Sequence, residues 1–432
     1  MNITDFSLKL NGFPLKKAKT LVKQIQLFDV NTRKDFVENK KREIVSFHLD
    51  NNPFYKNLVK SSSVSWEDLP VLTKQDLQTP LNKRLSNGYA LNKCYVNKTS
   101  GSSGHPFYFA KDKFSHAITW AIFDEWYNWY YVYSKKQARF YGIPAEKKPR
   151  IKERLKDAFS NRFRFDVFDL SENTFNSWLQ IFKKKRFVFI TGYTSVIISF
   201  AQYLKSKNIV LKNICPSLIV CFPTSEMCSK EEKQLISEAF GIPVAREYGA
   251  AEFGLIALEK KGEWVLNDIN LHVEVLDDQN NVLPYGKEGR IVITDLFNKA
   301  HPFIRYDIGD IGTINEIDGV PVLEKIIGRK EDYVVLPGGR KAPGLALYYV
   351  TKSVMEDSGN IKEVKVVQTE IDQLEVYYVS KRKLEDAQKK DIQIAVTNYL
   401  ASNINLKFTR KEVLERTARG KLKQFTSLIE KS

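Results

Sequence analysis

Five short segments gather residue types that chemistry needs. The first, Thr99-Ser100-Gly101-Ser102-Ser103-Gly104-His105-Pro106, crowds hydroxyls and glycines into one loop after an expected strand at Cys94–Asn97. Glycine lets backbone approach an anion closely, and amides and hydroxyls donate without bulk, so the run suits a phosphate; a plain Ser/Gly turn fits it equally. The spacing is neither that of a Walker loop nor that of a Gly-x-Ser-x-Gly nucleophile elbow, so neither reading has support.

The second segment, Arg246-Glu247-Tyr248-Gly249-Ala250-Ala251-Glu252-Phe253-Gly254, follows an expected strand at Val244-Ala245 and reads as a glycine-bordered loop. Its Tyr248 offers an aromatic face for a base, and Glu252 a carboxylate for Mg²⁺; a turn and a salt bridge are the plainer alternatives. In the third, Arg305-Tyr306-Asp307-Ile308-Gly309-Asp310, an acid at a glycine turn can accept two ribose hydroxyls. The fourth, Gly328-Arg329-Lys330-Glu331-Asp332, can contact nucleotide or solvate a hinge. The fifth, Arg416-Thr417-Ala418-Arg419-Gly420-Lys421, carries a lysine on a glycine-hinged loop, able to meet developing negative charge, or is simply a basic tail.

The elements that must hold these segments fall into three textures. Residues 1 to about 90 read as a polar helical cap, with helical apolar spacing through Phe36–Leu49 and a linker-like Ser61-Ser62-Ser63. From about 93, apolar runs alternate with helical stretches: Phe187–Thr191 before Ser195–Leu204, Ser217–Phe222 before Lys230–Ala239, then Val244–Tyr248. That alternation indicates a parallel sheet layered with helices. Between about 264 and 325, Leu271–Leu276, Gly289–Thr294 and Ile311–Ile314 alternate as strands of a β-rich subdomain. After Gly328, strands at Tyr333–Leu336, Glu363–Gln368 and Leu374–Ser380 and helices at Ala342–Asp357 and Leu384–Leu400 indicate a small α+β domain. The expected fold is thus α/β, with a large layered amino-terminal domain over 1–327 and a small carboxyl-terminal domain over 328–432.

Composition restricts function more than it identifies it. The chain has 432 residues, 43% hydrophobic and 27% charged, which suits a globular protein of about two or three domains. The amino terminus lacks a basic region followed by an apolar stretch, and the most apolar runs are too short to span a bilayer, so a cytoplasmic location is expected. Cys94, Cys215, Cys221 and Cys228 form no CxxC pair, which argues against structural zinc and for reduced thiols. A net charge of +16 is compatible with phosphorylated substrates, an anionic membrane surface or nucleic acid. No nucleic-acid docking motif accompanies it, and runs such as Lys183-Lys184-Lys185-Arg186 read as solvated helix ends. The aromatic density of Trp120–Tyr133 reads as helix core packing.

The order and spacing of the five segments resemble those of the adenylate-forming superfamily of acyl-CoA synthetases, luciferases and peptide-synthetase adenylation domains. Within it the chain is most similar to phenylacetate–CoA ligases and their CapK-type relatives in polysaccharide gene clusters. That likeness rests on Asn52-Pro53-Phe54-Tyr55, Leu69-Pro70-Val71-Leu72-Thr73-Lys74, Thr191-Gly192-Tyr193-Thr194-Ser195, the second segment, and Ala300-His301-Pro302-Phe303-Ile304-Arg305-Tyr306-Asp307.

The resemblance implies ATP-dependent activation of a small-molecule carboxylate to an acyl adenylate with pyrophosphate release. Transfer would follow, to the thiol of CoA or to an amine or sugar hydroxyl of a surface-polysaccharide precursor. It implies ATP and Mg²⁺ as cofactors. Ser100, Gly101, Ser102, Ser103 and Gly104 would wrap the β and γ phosphates, and Tyr248 would pack on adenine with Glu247, Gly249 and Ala250 beside it. Asp310 would grip the ribose, Arg329 would contact ribose or phosphate, and Glu252 would hold Mg²⁺. Lys421 would bridge carboxylate and α-phosphate, while Glu331 or Asp332 forms the hinge about which the small domain rotates. Gly192, Tyr193, Glu226 and Ala251 would line the acid's pocket. One departure stands out: the phosphate loop ends in Pro106-Phe107, where the family often has Pro-Lys. A non-catalytic ATP-binding scaffold in a polysaccharide-synthesising complex is the competing reading.

Overall fold

The computed structural model describes residues 3–60, 64–98, 107–141, 154–167, 169–329, 333–337, 341–343, 347, 351, 361–400, 404–416 and 422–429. Four helices open it: Ile3–Leu10, Leu15–Gln26, Val30–Asn51 and Pro53–Val59. Their ends follow local chemistry, since the Asp29 side chain accepts from the Thr32 amide at 3.0 Å and Asn52 from the Tyr55 amide at 2.9 Å. Regular helix stops at Val59, short of the expected 90. Residues 64–93 hold only single 3-10 turns. This stretch contains Pro70 and Pro80, and Leu72 is used instead as a brace: it accepts from the Asp307 amide at 2.8 Å and donates to the Arg305 carbonyl at 2.9 Å.

The expected parallel sheet is present. Arg162–Phe165, Gln137–Phe140, Phe189–Tyr193 and Val220–Thr224 lie side by side in that order, all parallel. Val244 adds a single parallel bridge to Cys221, so the strand expected there contributes one rung before the chain changes sheets. Helices Glu172–Lys184, Thr194–Ser206 and Lys230–Phe240 cover this sheet, with Phe140, Phe165, Trp178, Phe182 and Phe200 fully buried between the layers.

The β-rich unit is larger than expected. Its seven antiparallel strands, in the order Leu271–Leu276, Glu288–Asp295, Tyr306–Ile317, Val320–Arg329, Glu263–Leu266, Gly254–Lys260 and Glu247–Ala250, begin at Glu247 rather than near 264. Two motifs therefore change character. The Tyr248 segment is a β-hairpin strand, not a loop. The Gly309 segment lies inside a 12-residue strand, and the register shift opposite Arg290 and Val292 makes it a bulge rather than a turn.

Near the carboxyl end, Asn405–Lys411, Gln373–Ser380, Ile361–Glu370 and Phe425–Ser427 form a mixed four-stranded sheet against helix Asp386–Leu400. Val364, Val366, Val376, Ile392, Val396 and Phe425 close a core of their own. This is the small α+β unit. Of the helix expected at Ala342–Asp357, Lys341–Pro343 is a short strand paired with Tyr333–Val335, and only residues 347 and 351 are described as helical.

Candidate active site

Two segments read separately in the sequence meet here. The Tyr248 hydroxyl donates to Asp310 Oδ2 at 2.7 Å, joining the edge hairpin to the bulged strand. Gly249 allows the hairpin to close, because a Cβ there would lie 2.7 Å from the Gly254 carbonyl oxygen. The bulge at Gly309, where φ is +85°, turns Asp310 toward Tyr248. Arg329 lies directly opposite Asp310 on the neighbouring strand, so the third and fourth segments pair with each other. Tyr248, Asp310, Arg246, Glu226 and Trp264 line one cleft, whose remaining wall is formed by Leu422–Phe425 of the small unit.

Strand alternation separates the acids of the hairpin. Glu247 faces away from Tyr248 and accepts from the Tyr127 hydroxyl at 2.6 Å. Burial pushes its carboxyl above the ordinary value, opposed by hydrogen bonds from Tyr127 and Thr224 and by the Arg139 charge. Burial likewise raises Tyr141, beside the same carboxylate, to about 12. Among the described contacts, the Glu247 side chain thus serves an internal Tyr–Glu–Arg cluster, with its backbone at the cleft. Gly249 and Ala251 are exposed, Ala250 is half-buried, and Glu252 is buried in the turn at 251–253.

Of the expected acid-pocket residues, Gly192, Tyr193 and Glu226 sit where parallel strands end, and Ala251 lies in the turn of the antiparallel hairpin. Gly192 leaves no room for a side chain: a Cβ would lie 2.4 Å from the Phe140 carbonyl oxygen on the adjacent strand. The Tyr193 ring is buried edge-on to Tyr141 at 5.0 Å. Glu226 accepts from the Ser195 amide at 2.7 Å, placing a negative charge at the amino end of helix Thr194–Ser206. Open α/β sheets bind ligands at this carboxyl edge.

Arg416 was read only as the start of a basic run. Its guanidinium pairs with Glu363 of the small sheet and reaches Ser195 Oγ at 3.5 Å, so it joins the small unit to the helix that Glu226 caps. Only the separation of 53 residues between Arg416 and Glu363 hid this pairing. Arg246, to which the sequence pattern assigns no role, donates to Glu259 at 2.9 Å and stacks over Trp264 at 4.8 Å. Phe107, the departure noted at the end of the Ser/Gly segment, is buried and stacked on Tyr306 at 6.1 Å, so that position belongs to the core. Ser100, Gly101, Ser102, Ser103, Gly104, Glu331, Asp332 and Lys421 lie outside the described residues. Strands Tyr95–Lys98 and Tyr108–Lys111 pair antiparallel on either side of the Ser/Gly segment. No cluster of three or more metal-ligating side chains occurs among the described residues.

No family model matches the chain. It is similar to protein CapK of Staphylococcus aureus, 23% identical over 371 residues, covering 81% of this chain and 78% of that protein. Its fold matches 2-hydroxyisobutyryl-CoA ligase solved in the postadenylation state with R3-HIB-AMP: TM-score 0.69, 17% identity, 92% of this chain and 90% of that one. The same ligase in its thioesterification state, with 2-HIB-AMP and CoA, aligns over 93% and 90% at 17% identity with a TM-score of 0.52. The chain therefore has the two-part α/β fold of adenylate-forming CoA ligases.

Proposed function

We propose that this protein is an AMP-forming ligase that activates a small-molecule carboxylate with ATP and then transfers the acyl group. The observation that supports this most is the cleft in which the Tyr248 hydroxyl and Asp310 meet beneath Leu422–Phe425 of the small unit. In this reading the Tyr248 ring packs on adenine with Glu247, Gly249 and Ala250 beside it. Asp310 accepts ribose hydroxyls, Arg329 opposite it contacts ribose or phosphate, and Ser100, Gly101, Ser102, Ser103 and Gly104 wrap the terminal phosphates.

The substrate carboxylate attacks the α-phosphorus, an oxygen–phosphorus bond forms, and pyrophosphate leaves with the electrons of the bond that breaks. Lys421 supplies positive charge where negative charge develops on both reactants. Its segment begins at Arg416, which the Glu363 pair anchors beside helix Thr194–Ser206. Buried Glu252 would hold Mg²⁺, which commonly takes one or two carboxylates together with substrate phosphates, and the ion would neutralise phosphate charge. Gly192, Tyr193, Glu226 and Ala251 flank the acid.

The chain is read as two domains, 1–327 and 328–432, with Glu331 or Asp332 as the hinge. Rotation about it would withdraw Lys421 and admit the acceptor. CoA is the acceptor bound by the structural neighbour; an amine or sugar hydroxyl of a surface-polysaccharide precursor is the acceptor suggested by the likeness to CapK. A cytoplasmic enzyme of this kind would meet such precursors at the inner membrane surface.

The test is carboxylate-dependent ATP–pyrophosphate exchange over aryl, fatty, amino and sugar acids. Exchange with one acid, reduced by several orders of magnitude in Lys421→Ala with ATP binding retained, is expected. Exchange at the wild-type rate in Lys421→Ala would refute the role of the lysine. ATP binding without exchange for any acid or acceptor would favour the scaffold reading.

A further inference from the structure

The first two helices form a surface that the adenylation reading does not use. Residues 1–28 carry five lysines and a single acid, Asp5. Helix Leu15–Gln26 buries Leu15, Ala18, Val22 and Ile25, packing against helix Lys113–Tyr127. That leaves Lys16, Lys17, Thr20, Lys23 and Gln24 on one outward stripe, which continues into Leu27. Lys19 is neutralised by Asp5 and Asp124, each at 2.6 Å. The other four lysines of the segment, Lys9, Lys16, Lys17 and Lys23, are exposed.

Large apolar side chains project among these charges. Leu10 is 71% exposed and Leu27 87%, and Phe6 lies one helical turn before Leu10 on the same face. Between the two helices runs a groove of about 950 Å³ lined by Lys9, Phe13, Lys16, Lys17, Leu21 and Lys23, among others. A lone exposed leucine is ordinary on a soluble protein. Three large apolar tips on or at the end of the same two helices as four exposed lysines, which have no ion pair among the described residues, need a partner that is anionic and also admits hydrocarbon. A phosphate backbone meets the first requirement only, because the two most exposed apolar tips, Leu10 and Leu27, are aliphatic and offer a base no ring to stack on.

We propose that this face docks on an anionic lipid bilayer, the lysines meeting headgroups while Phe6, Leu10 and Leu27 enter the headgroup–acyl boundary. Docking of this kind needs no carboxylate and no nucleotide, so it stands or falls apart from the adenylation reading. It would hold the acyl-transfer cleft beside acceptors confined to the membrane surface.

The experiment is co-sedimentation of the full chain with vesicles of phosphatidylcholine alone, or of phosphatidylcholine with phosphatidylglycerol, across a salt series, with heparin retention measured in parallel. Binding to the anionic vesicles only, weakening as salt rises, is expected. Lys16→Glu with Lys23→Glu should lower it at least tenfold, since each lysine near the surface contributes roughly fivefold. Leu10→Asp with Leu27→Asp, at positions too exposed to disturb folding, should lower vesicle binding at least tenfold while heparin retention is unchanged. Three results would overturn the proposal. One is no vesicle binding at low salt. Another is vesicle binding indifferent to the leucine pair, which would mark a general polyanion site for acidic protein or nucleic acid. The third is an equal loss from Lys183→Glu with Lys184→Glu on the distant basic run, which would mean that overall charge alone is responsible.

Discussion

The hydroxyl of Tyr248 and the carboxylate of Asp310 hold each other at 2.7 Å across two strands. A neutral donor on a carboxylate contributes about 1 kcal/mol net, so Tyr248→Phe should raise the KM for ATP about three- to tenfold through a less well-oriented acid, with the fold intact. Asp310→Ala removes the acceptor itself and should weaken ATP binding on the order of tenfold or more, measured by isothermal titration. Unchanged ATP affinity in Asp310→Ala would remove that residue from the nucleotide site. Glu247, the immediate neighbour of Tyr248, shows why residue type alone misleads. Strand alternation turns it inward to Tyr127, so an acid one position from the aromatic face serves a different environment.

At the scale of elements, glycines decide what can approach what. Strand Phe189–Tyr193 runs parallel to Gln137–Phe140 with Gly192 paired to Phe140, and the space for a Cβ is taken by the Phe140 carbonyl and side chain. Gly192→Ala should cost about 1–3 kcal/mol by forcing the two strands apart, and it should disturb Tyr193 next to it. A urea-unfolding midpoint equal to that of the parent would show that the strands part without cost. Element types in this layer were legible because buried parallel strands are short apolar runs between helical stretches: Phe187–Thr191 and Ser217–Phe222 were each placed within about three residues of the observed strands. The Tyr248 and Gly309 segments were misread as loop and turn. Glycines and acids signal turns locally, and nothing local reveals that a partner strand, Gly254–Lys260 or Glu288–Asp295, supplies the missing hydrogen bonds.

At the scale of the whole molecule, His48, His116 and His301 are buried and His272 is partly buried, and loss of solvent lowers each below its ordinary value of 6.5. His48 falls to about 4, His116 and His272 to about 3, and His301 also falls well below its ordinary value. Because the unfolded chain takes up these protons first, stability is retained above pH 6.5 and lost as pH falls from there toward the folded values. The slope is about 1.4 kcal/mol per pH unit for each histidine. Buried carboxyls such as Glu274, whose values are raised, offset part of this loss at the acid end. The melting temperature should therefore decline on acidification from pH 7.5 to 5.5, and His272→Gln should make the decline shallower. A flat profile over that range would contradict it.

The sequence by itself determined the class of the fold, the order of its layers and the set of polar segments, because hydrophobic period and glycine chemistry are local properties of the chain. It also carried Tyr248, Asp310 and Arg329 as separate candidates. Only the tertiary structure decided that Tyr248 bonds Asp310, that Arg329 lies opposite Asp310 on the next strand, that Glu247 turns away from Tyr248, that Phe107 belongs to the core, and that Arg416 joins Glu363 to the start of helix Thr194–Ser206. Each of those outcomes depends on strand register or on contacts between residues far apart in the chain. A shift of one residue in register would exchange the two faces of a strand and leave the local sequence pattern unaltered.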